Sequence, residues 1–317
     1  MIETKWMVLA NPRAGSGKMG ADWNQISDLL HENDIHFDVL FTEYRYHAVE
    51  LVIASIRRGY RKFISIGGDG TINEVVNGFF LQRNEVPTNE LTLAVIPAGS
   101  GNDWVKMFNL SKKYSEAVSA ITRMNTMVQD ICRLDLFESK VRKTRYMINV
   151  SGIGFDAVVA GNCNRLKEKG VRGKWIYLRA GLNGLFLHRA KHYTIRVDDR
   201  IFYKGKVFSV ALGIGRFCGG GMQQTPNACV DDGLVDITII KRISKLKIVA
   251  HLKKLFDGRI FELDEVLHTT AKTISIVCTP NDFVEVDGEV IGETPYTLEI
   301  IPASLKVVTG FIPDQHQ

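Results

Sequence analysis

The chain has 317 residues, a formal net charge of +5 and the composition of an ordinary globular protein. Its length predicts two domains, at roughly 150 residues per domain. The mild positive charge fits an anionic substrate or membrane surface but requires neither. No apolar run reaches the roughly 18 residues of a membrane-spanning helix, so any membrane contact is expected to be peripheral.

The cysteines indicate a reducing compartment. The chain has five, they are scattered, and none forms a Cys-x-x-Cys pair. A disulfide framework and a structural zinc site are therefore disfavoured. The amino terminus shows no signal-peptide pattern. We expect a cytoplasmic protein, with peripheral contact at the inner membrane face left open.

The first predicted strand, 5–10, ends in a glycine-rich loop at 11–20, and a helix is predicted from about 21 to 33. A Walker A loop needs Gly where Pro12 stands and Ser or Thr where Met19 stands, so that motif is excluded. A dinucleotide-binding pattern remains open. Three glycines are spaced for it, and Glu43 follows at the distance of a ribose contact.

In chain order, strand 37–41 is followed by Thr42 and a helix from about 46 to 58. Thr42 is a candidate helix N-cap.

The stretch 66–78 follows a buried strand and opens a helix. Its glycines allow close backbone approach to a ligand, and a helix N-terminus offers N–H groups and a positive dipole end to an anion. Asp69 would repel a phosphate unless a cation lies between them, which implies Mg²⁺. Thr71 can cap the helix or hydrogen-bond to a phosphate oxygen.

A second glycine-rich turn follows strand 91–96, at 97–104. Loops at the carboxyl ends of parallel strands converge on one crevice, so both turns can face the same nucleotide. Alternating strands and helices up to about Met127 predict a parallel sheet with helices on both faces.

Strand-rich sequence follows and predicts a mostly antiparallel β domain. The predicted strands are 129–138, 144–150, 193–197 and 206–212. The last apolar run, 306–311, is expected to return to the first domain. The predicted domains are therefore 1–128, 129–304 and a C-terminal segment, 305–317.

Two stretches, 170–191 and 241–259, are basic and amphipathic. For the first, a membrane-surface or acyl-chain role and ordinary core packing are equally compatible. For the second, a solvated face is the favoured interpretation.

The motif at 67–78 resembles the nucleotide-binding signature of the diacylglycerol kinase catalytic domain, whose superfamily includes sphingosine kinases and NAD kinases. The Asn-Pro start of the first loop is similar to the family motif N-P-x-x-G-x-x-K, and 97–103 to P-x-G-[ST]-x-N-[DA]. This favours the kinase interpretation of the first loop. The resemblance implies an α/β N-terminal domain with a parallel sheet, and a mostly antiparallel β C-terminal domain.

The resemblance also implies ATP as phosphate donor, Mg²⁺ as cofactor, and nucleotide contacts from these loops. The implied contact residues are Asn11, Pro12, Gly15, Lys18, Thr42, Gly67, Gly68, Asp69, Gly70, Thr71, Asn73 and Ser100. Asp69 would act catalytically by holding Mg²⁺ against the phosphates.

Segments of the β-rich half, at 151–157, 213–222 and 226–236, also resemble family motifs. Segment 151–157 is similar to G-x-G-[FL]-D-A, and 226–236 to P-x-A-x-x-x-D-G-x-[LV]-D. Segment 226–236 implies a Mg²⁺ site at Asp232 with the backbone carbonyls of Cys229 and Leu234. An ordinary Asp-Gly turn is the alternative.

The sequence Asp287-Gly288-Glu289 would normally be a hairpin tip. In the family this glutamate is catalytic, and Glu289 matches it. A carboxylate there can accept the proton of a lipid hydroxyl that attacks the γ-phosphate, or can bind the metal.

The predicted function is therefore an ATP-dependent lipid kinase, with diacylglycerol as the favoured acceptor and a cleft between the domains as the expected site. A sphingoid-base kinase is an alternative, because 97–102 is similar to sphingosine kinases. A non-catalytic lipid sensor is another, although Asp69 and Glu289 argue against it. The expected partner is a lipid at a membrane surface and not a nucleic acid; a homodimer is left open.

Overall fold

The computed structural model describes residues 5–83, 85–168, 180–181, 184–185 and 188–310. Most of the predicted basic helix at 170–191 lies outside the described residues. The chain divides into two compact units. The first unit comprises the chain up to Gln129 and from Ala303 onward, and the second unit is Asp130–Pro302.

The first unit alternates strands and helices. Its elements are β1 (Trp6–Ala10), α1 (Lys18–Glu32), β2 (Phe37–Phe41), α2 (His47–Arg57), β3 (Lys62–Gly67), α3 (Asp69–Leu81), β4 (Thr92–Pro97) and α4 (Tyr114–Arg123). Short 3-10 turns lie at Ala14–Gly17, Thr88–Glu90 and Trp104–Phe108.

The strands of the first unit pair in parallel, in the order β2-β1-β3-β4. Val8 of β1 lies opposite Val39 on one side and Ile64 on the other. Beyond β4, Lys306 and Val307 pair in parallel with Thr92 and Leu93. Because the strands run in one direction, the loops that follow β1, β3 and β4 all leave from the same edge of the sheet.

The two faces of this sheet carry different helices. Alternate residues of a strand point to opposite faces, so Val8, Ile64 and Ile96 share one face. That face packs against the buried side chains of α1 and α4 in one core cluster. On the other face, Phe63 meets Phe79 of α3 with ring centroids 5.0 Å apart, and α3 packs against α2.

The second unit is built mainly of antiparallel strands, and this part of the fold prediction is confirmed. Its strands are β5 (Thr126–Glu138), β6 (Val141–Met147), β7 (Val150–Gly154), β8 (Lys191–Val197), β9 (Arg200–Gly213), β10 (Phe217–Cys218), β11 (Met222–Gln223), β12 (Val235–Lys241), β13 (Val266–Ala271), β14 (Thr273–Thr279), β15 (Phe283–Val286) and β16 (Glu289–Val308). Its helices are α5 (Phe155–Glu168), α6 (Lys245–Ala250) and α7 (Leu252–Phe256), with a 3-10 turn at Ile260–Glu262.

Two long strands each contribute to more than one set of pairs. The first half of β9 pairs with β8, and its second half pairs with β7 and β12. Similarly, β16 pairs first with β15 and then with β14. Inward-facing side chains from these strands form one apolar core, so this unit has the layered packing expected of a β sandwich.

The predicted single strand 144–150 is wrong. The chain forms β6, then turns at Ile148 and Asn149, and then forms β7. At this turn the N–H groups of Ile148 and Asn149 donate to the carboxylate of Asp287, each at 3.0 Å. A distant carboxylate thus takes the place of a neighbouring strand, and local sequence contains no sign of it.

None of the described helices is long and apolar enough to cross a membrane.

The contact between α2 and α3 depends on Gly78. A Cβ at this position would lie 2.6 Å from the Cβ of buried Val52. We expect Gly78→Ala to lower the free energy of unfolding by about 1–3 kcal/mol, because the two helices must separate. Gly70 of the same helix has no atom within 4 Å of its Cβ position, so Gly70→Ala should be neutral or slightly stabilising. Denaturant unfolding of both variants measures the difference, and equal stabilities would contradict it.

Candidate active site

The first loop is bonded to the start of α3. Asn11 donates its backbone N–H to Ile66 O at 3.0 Å. Its side-chain Nδ2 donates to Thr71 Oγ1 at 3.1 Å. Two predicted contact residues from separate motifs therefore touch. Because the Thr71 hydroxyl accepts this bond, its own proton can be donated to another group.

Gly15 allows the first loop to approach the loop after β4. Its φ of +59° lies in the left-handed region, and a Cβ here would lie 2.5 Å from Ala98 O. Lys18, the first residue of α1, has a mostly exposed side chain. Its Nζ lies 3.8 Å from Asp22 and 5.8 Å from the ring centroid of Tyr114, so this charge remains at the solvent side.

The two glycine-rich turns after β3 and β4 touch through their backbones. The N–H groups of Ala98 and Gly99 donate to Gly67 O at 2.8 and 3.1 Å. A Cβ on Gly99 would lie 2.4 Å from Gly68 Cα. The glycines at these two positions are therefore required for the packing of the turns, apart from any contact with a ligand.

Asp69 joins the same two turns through its side chain. Its Oδ2 accepts the N–H of Asp103 and its Oδ1 accepts that of Trp104, both at 3.2 Å. Burial raises the pKa of Asp69, and the nearby Asp103 carboxylate raises it further. A Cβ on Gly101 would lie 3.0 Å from Asp69 Oδ2 and 3.9 Å from Asp103 Oδ2. Both carboxylates thus border one small space that glycine leaves empty.

Asn102 adds a buried acceptor to this region. Its Nδ2 donates to Gly99 O at 2.8 Å, which determines the orientation of the amide. Its Oδ1 is buried and has no hydrogen-bond partner among the described residues. A buried polar atom without a partner costs free energy, so this oxygen suits a ligand that offers a donor or a cation.

Other residues of the signature support the helices. Glu74 accepts the N–H groups of Tyr46 and Ala48, and thereby caps α2. Asn73 accepts from the Asn77 amide through its backbone and side-chain oxygens. Sequence reasoning assigned Asn73 to the nucleotide, and that contact remains a prediction.

The remaining predicted contact residues differ in exposure. Thr42 is buried and donates its N–H to Ala10 O at 2.9 Å. The N-cap of α2 is Tyr46, so the alternative prediction of Thr42 as N-cap is wrong. Ser100 and Gly70 are exposed, and Pro12 is partly exposed.

In the second unit, Asp287 organises the turn before Glu289. Its carboxylate accepts the N–H of Val150 at 3.1 Å in addition to the two at the β6–β7 turn. Glu289 begins β16 and is half-buried. Asn164 of α5 lies 3.5 Å from Glu289 Oε2. The Asp-Gly-Glu motif thus combines a structural aspartate with a glutamate that remains partly accessible.

Sequence reasoning missed an acidic pair near this turn, Asp156 and Glu285. A Cβ on Gly152 would lie 2.5 Å from Asp156 Cβ and 2.8 Å from Glu285 Oε2. Burial raises the pKa of Asp156 to about 6, although Ser209 and Gln224 each donate to its carboxylate at 2.6 Å. Burial also raises the pKa of Glu285, and Asp156 adds to that shift.

The signal for Asp156 was present in the G-x-G-[FL]-D-A motif at 151–157. The sequence contained no signal for Glu285, because only the fold brings β15 beside β7.

The predicted metal position at Asp232 has the geometry of an Asp-Gly turn. Asp232 Oδ1 accepts the N–H of Leu234 at 3.0 Å, and Gly233 has a φ of +72°. Asp130 accepts the N–H of Gly233 at 2.7 Å. Within the described chain no three His, Cys, Asp or Glu side chains form a metal-binding group. The predicted set uses one side chain and two carbonyls, including that of Cys229, and stays a prediction.

Two family models match the chain. The model described as the diacylglycerol kinase catalytic domain matches residues 5–134. The model described as the YegS C-terminal NAD kinase β sandwich-like domain matches residues 149–309, which is just over half of the chain. The chain belongs to the diacylglycerol kinase family. The predicted resemblance is therefore confirmed, and the protein is a lipid kinase.

Individual relatives support the same assignment over nearly the whole length. A diacylglycerol kinase of Mycobacterium tuberculosis is 29% identical over 306 residues, covering 96% of this chain and 94% of that one. The crystal structure of a diacylglycerol kinase from Bacillus anthracis has a TM-score of 0.73 at 21% identity, covering 98% of each chain. The structural likeness shows a shared fold. A kinase of this family implies ATP as phosphate donor and a lipid as substrate.

Because of this acidic pair, we expect the free energy of unfolding of this lipid kinase to depend on pH. The pKa of Asp156 is raised from 3.8 to about 6. Between these values the folded state binds more protons than the unfolded state, so the Asp156 contribution to stability falls as pH rises through this window. We expect Asp156→Asn to be more stable than the wild type at neutral pH by about 1–2 kcal/mol. An asparagine can still accept from Gln224 and donate to Ser209.

The higher stability of the Asp156→Asn variant should disappear below the ordinary aspartate pKa, where the wild-type carboxyl is neutral in both the folded and the unfolded state. Denaturant unfolding of both proteins at neutral and acidic pH measures it. A stability difference that does not change with pH would contradict the prediction.

Proposed function

We propose that this lipid kinase transfers the γ-phosphate of Mg²⁺–ATP to the hydroxyl of diacylglycerol, giving phosphatidic acid. The observation that carries the proposal is the meeting of three glycine-rich loops around the start of α3, at the carboxyl edge of a parallel sheet. We assign the nucleotide to the first unit, which carries the glycine-rich loops, and the lipid to the second, which carries Glu289.

The three glycine-rich loops supply the groups that we assign to the nucleotide phosphates. The Thr71 hydroxyl can donate to a phosphate oxygen, because Asn11 satisfies its acceptor role. The N-terminus of α3 and the exposed glycine backbones add N–H donors. Lys18 and Ser100 lie at the solvent side and can close on the phosphates. Such a site works by positioning and charge neutralisation, which phosphoryl transfer chiefly needs.

The residues around Gly101 fit Mg²⁺. The carboxylates of Asp69 and Asp103 border the same small space, and Asp103 Oδ2 faces it while Asp103 Oδ1 pairs with Lys106 at 2.6 Å. The buried Asn102 Oδ1 lies in the adjoining turn, beside Gly99, and has no partner among the described residues. Carboxylate and amide oxygens are the ligands that this cation prefers. Mg²⁺ bound there would neutralise charge on the phosphates. Asp69 would hold its position through the bonds from Asp103 and Trp104.

Glu289 supplies the acid–base chemistry in this proposal. Its carboxylate is partly accessible, while Asp287 holds the turn before it. A glutamate in this setting can accept the proton of the lipid hydroxyl as the hydroxyl attacks phosphorus. Asn164 lies beside it and can orient the carboxylate.

Diacylglycerol is favoured as acceptor because the relative from Mycobacterium tuberculosis bears that name. A test uses purified protein with Mg²⁺, ATP and mixed micelles of diacylglycerol, monoacylglycerol, sphingosine or ceramide, with NAD as a further acceptor. Phosphatidic acid as the main product supports the proposal. A phosphorylated sphingoid base would replace the acceptor and keep the site. Absence of any product with all acceptors would overturn the proposed activity.

Removal of the Glu289 carboxylate tests its role. We expect Glu289→Gln to lower kcat by about 10²–10⁴-fold, the usual worth of a general base, with little change in ATP affinity. Glu293→Gln is the matched control, because Glu293 is an exposed glutamate on the same strand. Steady-state kinetics and nucleotide binding separate the two effects. Activity of the Glu289 variant equal to that of the control would reject the role.

Replacement of Asp69 tests the cation site. We expect Asp69→Asn to raise the Mg²⁺ concentration needed for half-maximal activity by at least about tenfold, because one anionic ligand is lost. The asparagine Oδ1 keeps one of the two backbone N–H bonds, which limits structural damage. A Mg²⁺ titration, with thermal unfolding as a check of folding, measures this. An unchanged Mg²⁺ requirement would count against Asp69 as a ligand.

A further inference from the structure

Helices α6 and α7 present apolar side chains to solvent. Exposed fractions are 84% for Leu246, 54% for Val249, 38% for Leu252 and 46% for Phe256. Large exposed apolar side chains are ordinary when scattered, but here four occur within eleven consecutive residues. Such a concentration marks an interaction surface more often than a solvated face. We call these four side chains the apolar ridge.

The opposite side of these helices carries lysines that are already paired. Lys247 forms an ion pair with Glu265 at 2.8 Å, and Lys254 forms one with Glu262 at 2.9 Å. Ile248 is half-buried on this side. Two lysines therefore face the protein while leucine and phenylalanine face solvent. The solvated face favoured for 241–259 stays a prediction, but the exposed side of α6 and α7 carries Leu246 and Phe256 as well as lysines.

Exposed basic side chains lie beside the apolar ridge, and the acidic residue that follows Phe256, Asp257, is paired with Arg259 at 3.1 Å. Between positions 241 and 256 the chain has six Lys or Arg residues and no Asp or Glu. Arg242, Lys245 and Lys253 are exposed next to the ridge. An apolar ridge with a basic rim matches an anionic bilayer surface, where acyl chains lie beneath negative headgroups. Two copies of the ridge would bring like charges together, which disfavours self-association.

The backbone of α7 is also hydrogen-bonded to a residue next to the acidic pair. The carbonyl of Phe256 accepts from Gln223 Nε2 at 2.9 Å. The next residue, Gln224, donates to Asp156 at 2.6 Å. Gln223, at the end of β11, therefore contacts α7, and the next residue, Gln224, contacts the acidic pair. A membrane bound at the ridge would lie near the part of this unit to which we assign the lipid.

We propose that the apolar ridge docks the kinase on anionic membranes, with Leu246, Val249, Leu252 and Phe256 inserted among headgroups and Lys245 and Lys253 at the rim. The proposal rests on the proposed function to the extent that the acceptor is a membrane lipid. Binding itself needs neither ATP nor turnover, so the two proposals can fail separately.

The experiment is cosedimentation of the full-length protein with two kinds of vesicle. One kind contains equal parts of phosphatidylcholine and phosphatidylglycerol, and the other contains phosphatidylcholine alone. We expect tighter binding to the anionic vesicles. The double variant Leu246→Gln/Val249→Gln should weaken that binding by about tenfold or more, because two apolar side chains no longer leave water. Lys245→Gln/Lys253→Gln should weaken it by about fivefold per lysine.

The matched control is Ile201→Gln/Val277→Gln. Both side chains are exposed and apolar in the same unit, at 54% and 46%, but lie outside the ridge. The control should bind anionic vesicles as the wild type does. With a soluble short-chain diacylglycerol, the ridge variant should keep wild-type kinase activity, and it should lose activity with diacylglycerol in vesicles.

Equal vesicle binding by wild type and ridge variant would overturn the proposal. So would a concentration-dependent dimer in sedimentation equilibrium that the ridge variant abolishes, since a second copy would then be the occupant. Ridge-dependent vesicle binding by a protein that phosphorylates no lipid would support the docking surface and overturn only the proposed function.

Discussion

The candidate site depends on the hydrogen bonds that the Asp69 carboxylate accepts. This carboxylate accepts two backbone N–H groups from the turn after β4 while belonging to the turn after β3. That arrangement draws the two glycine-rich turns together, and Asn11 adds the first loop through Thr71. The same carboxylate borders the space beside Gly101 that we propose for a cation. One side chain therefore serves both the architecture of the site and its proposed chemistry. Its raised pKa reflects the burial that this double role requires.

The second unit uses carboxylates in a comparable way. Asp287 replaces a missing strand partner at the β6–β7 turn and leaves Glu289 partly accessible at the start of β16. Nearby, Asp156 and Glu285 approach each other closely because Gly152 has no side chain. Acids whose pKa is raised in the folded state weaken a fold at neutral pH. Their presence next to the proposed lipid-handling residues is consistent with stability lost at a functional site.

Several residues of the recognisable motifs prove to be structural in this chain. Glu74 caps a neighbouring helix, Gly68 and Gly99 permit backbone contact, and Asp287 holds a turn. A motif therefore identifies the family without separating the residues that touch a ligand from those that shape the loop. The converse holds at α6 and α7. No motif marks them, yet their exposed apolar side chains carry the docking surface that we propose for the second unit.

The sequence by itself determined the family, the lipid kinase activity and the antiparallel character of the second unit, because glycine-rich turns and strand periodicity are local properties. It also named Asn11, Asp69 and Thr71, which the fold brings together. Tertiary structure alone decided which charges face solvent on α6 and α7, since helical periodicity gives two faces but not which one packs. It alone paired Asp156 with Glu285 and placed the Asp287 carboxylate at Ile148. These contacts join residues more than 100 positions apart, and their energy depends on burial, which no local pattern encodes.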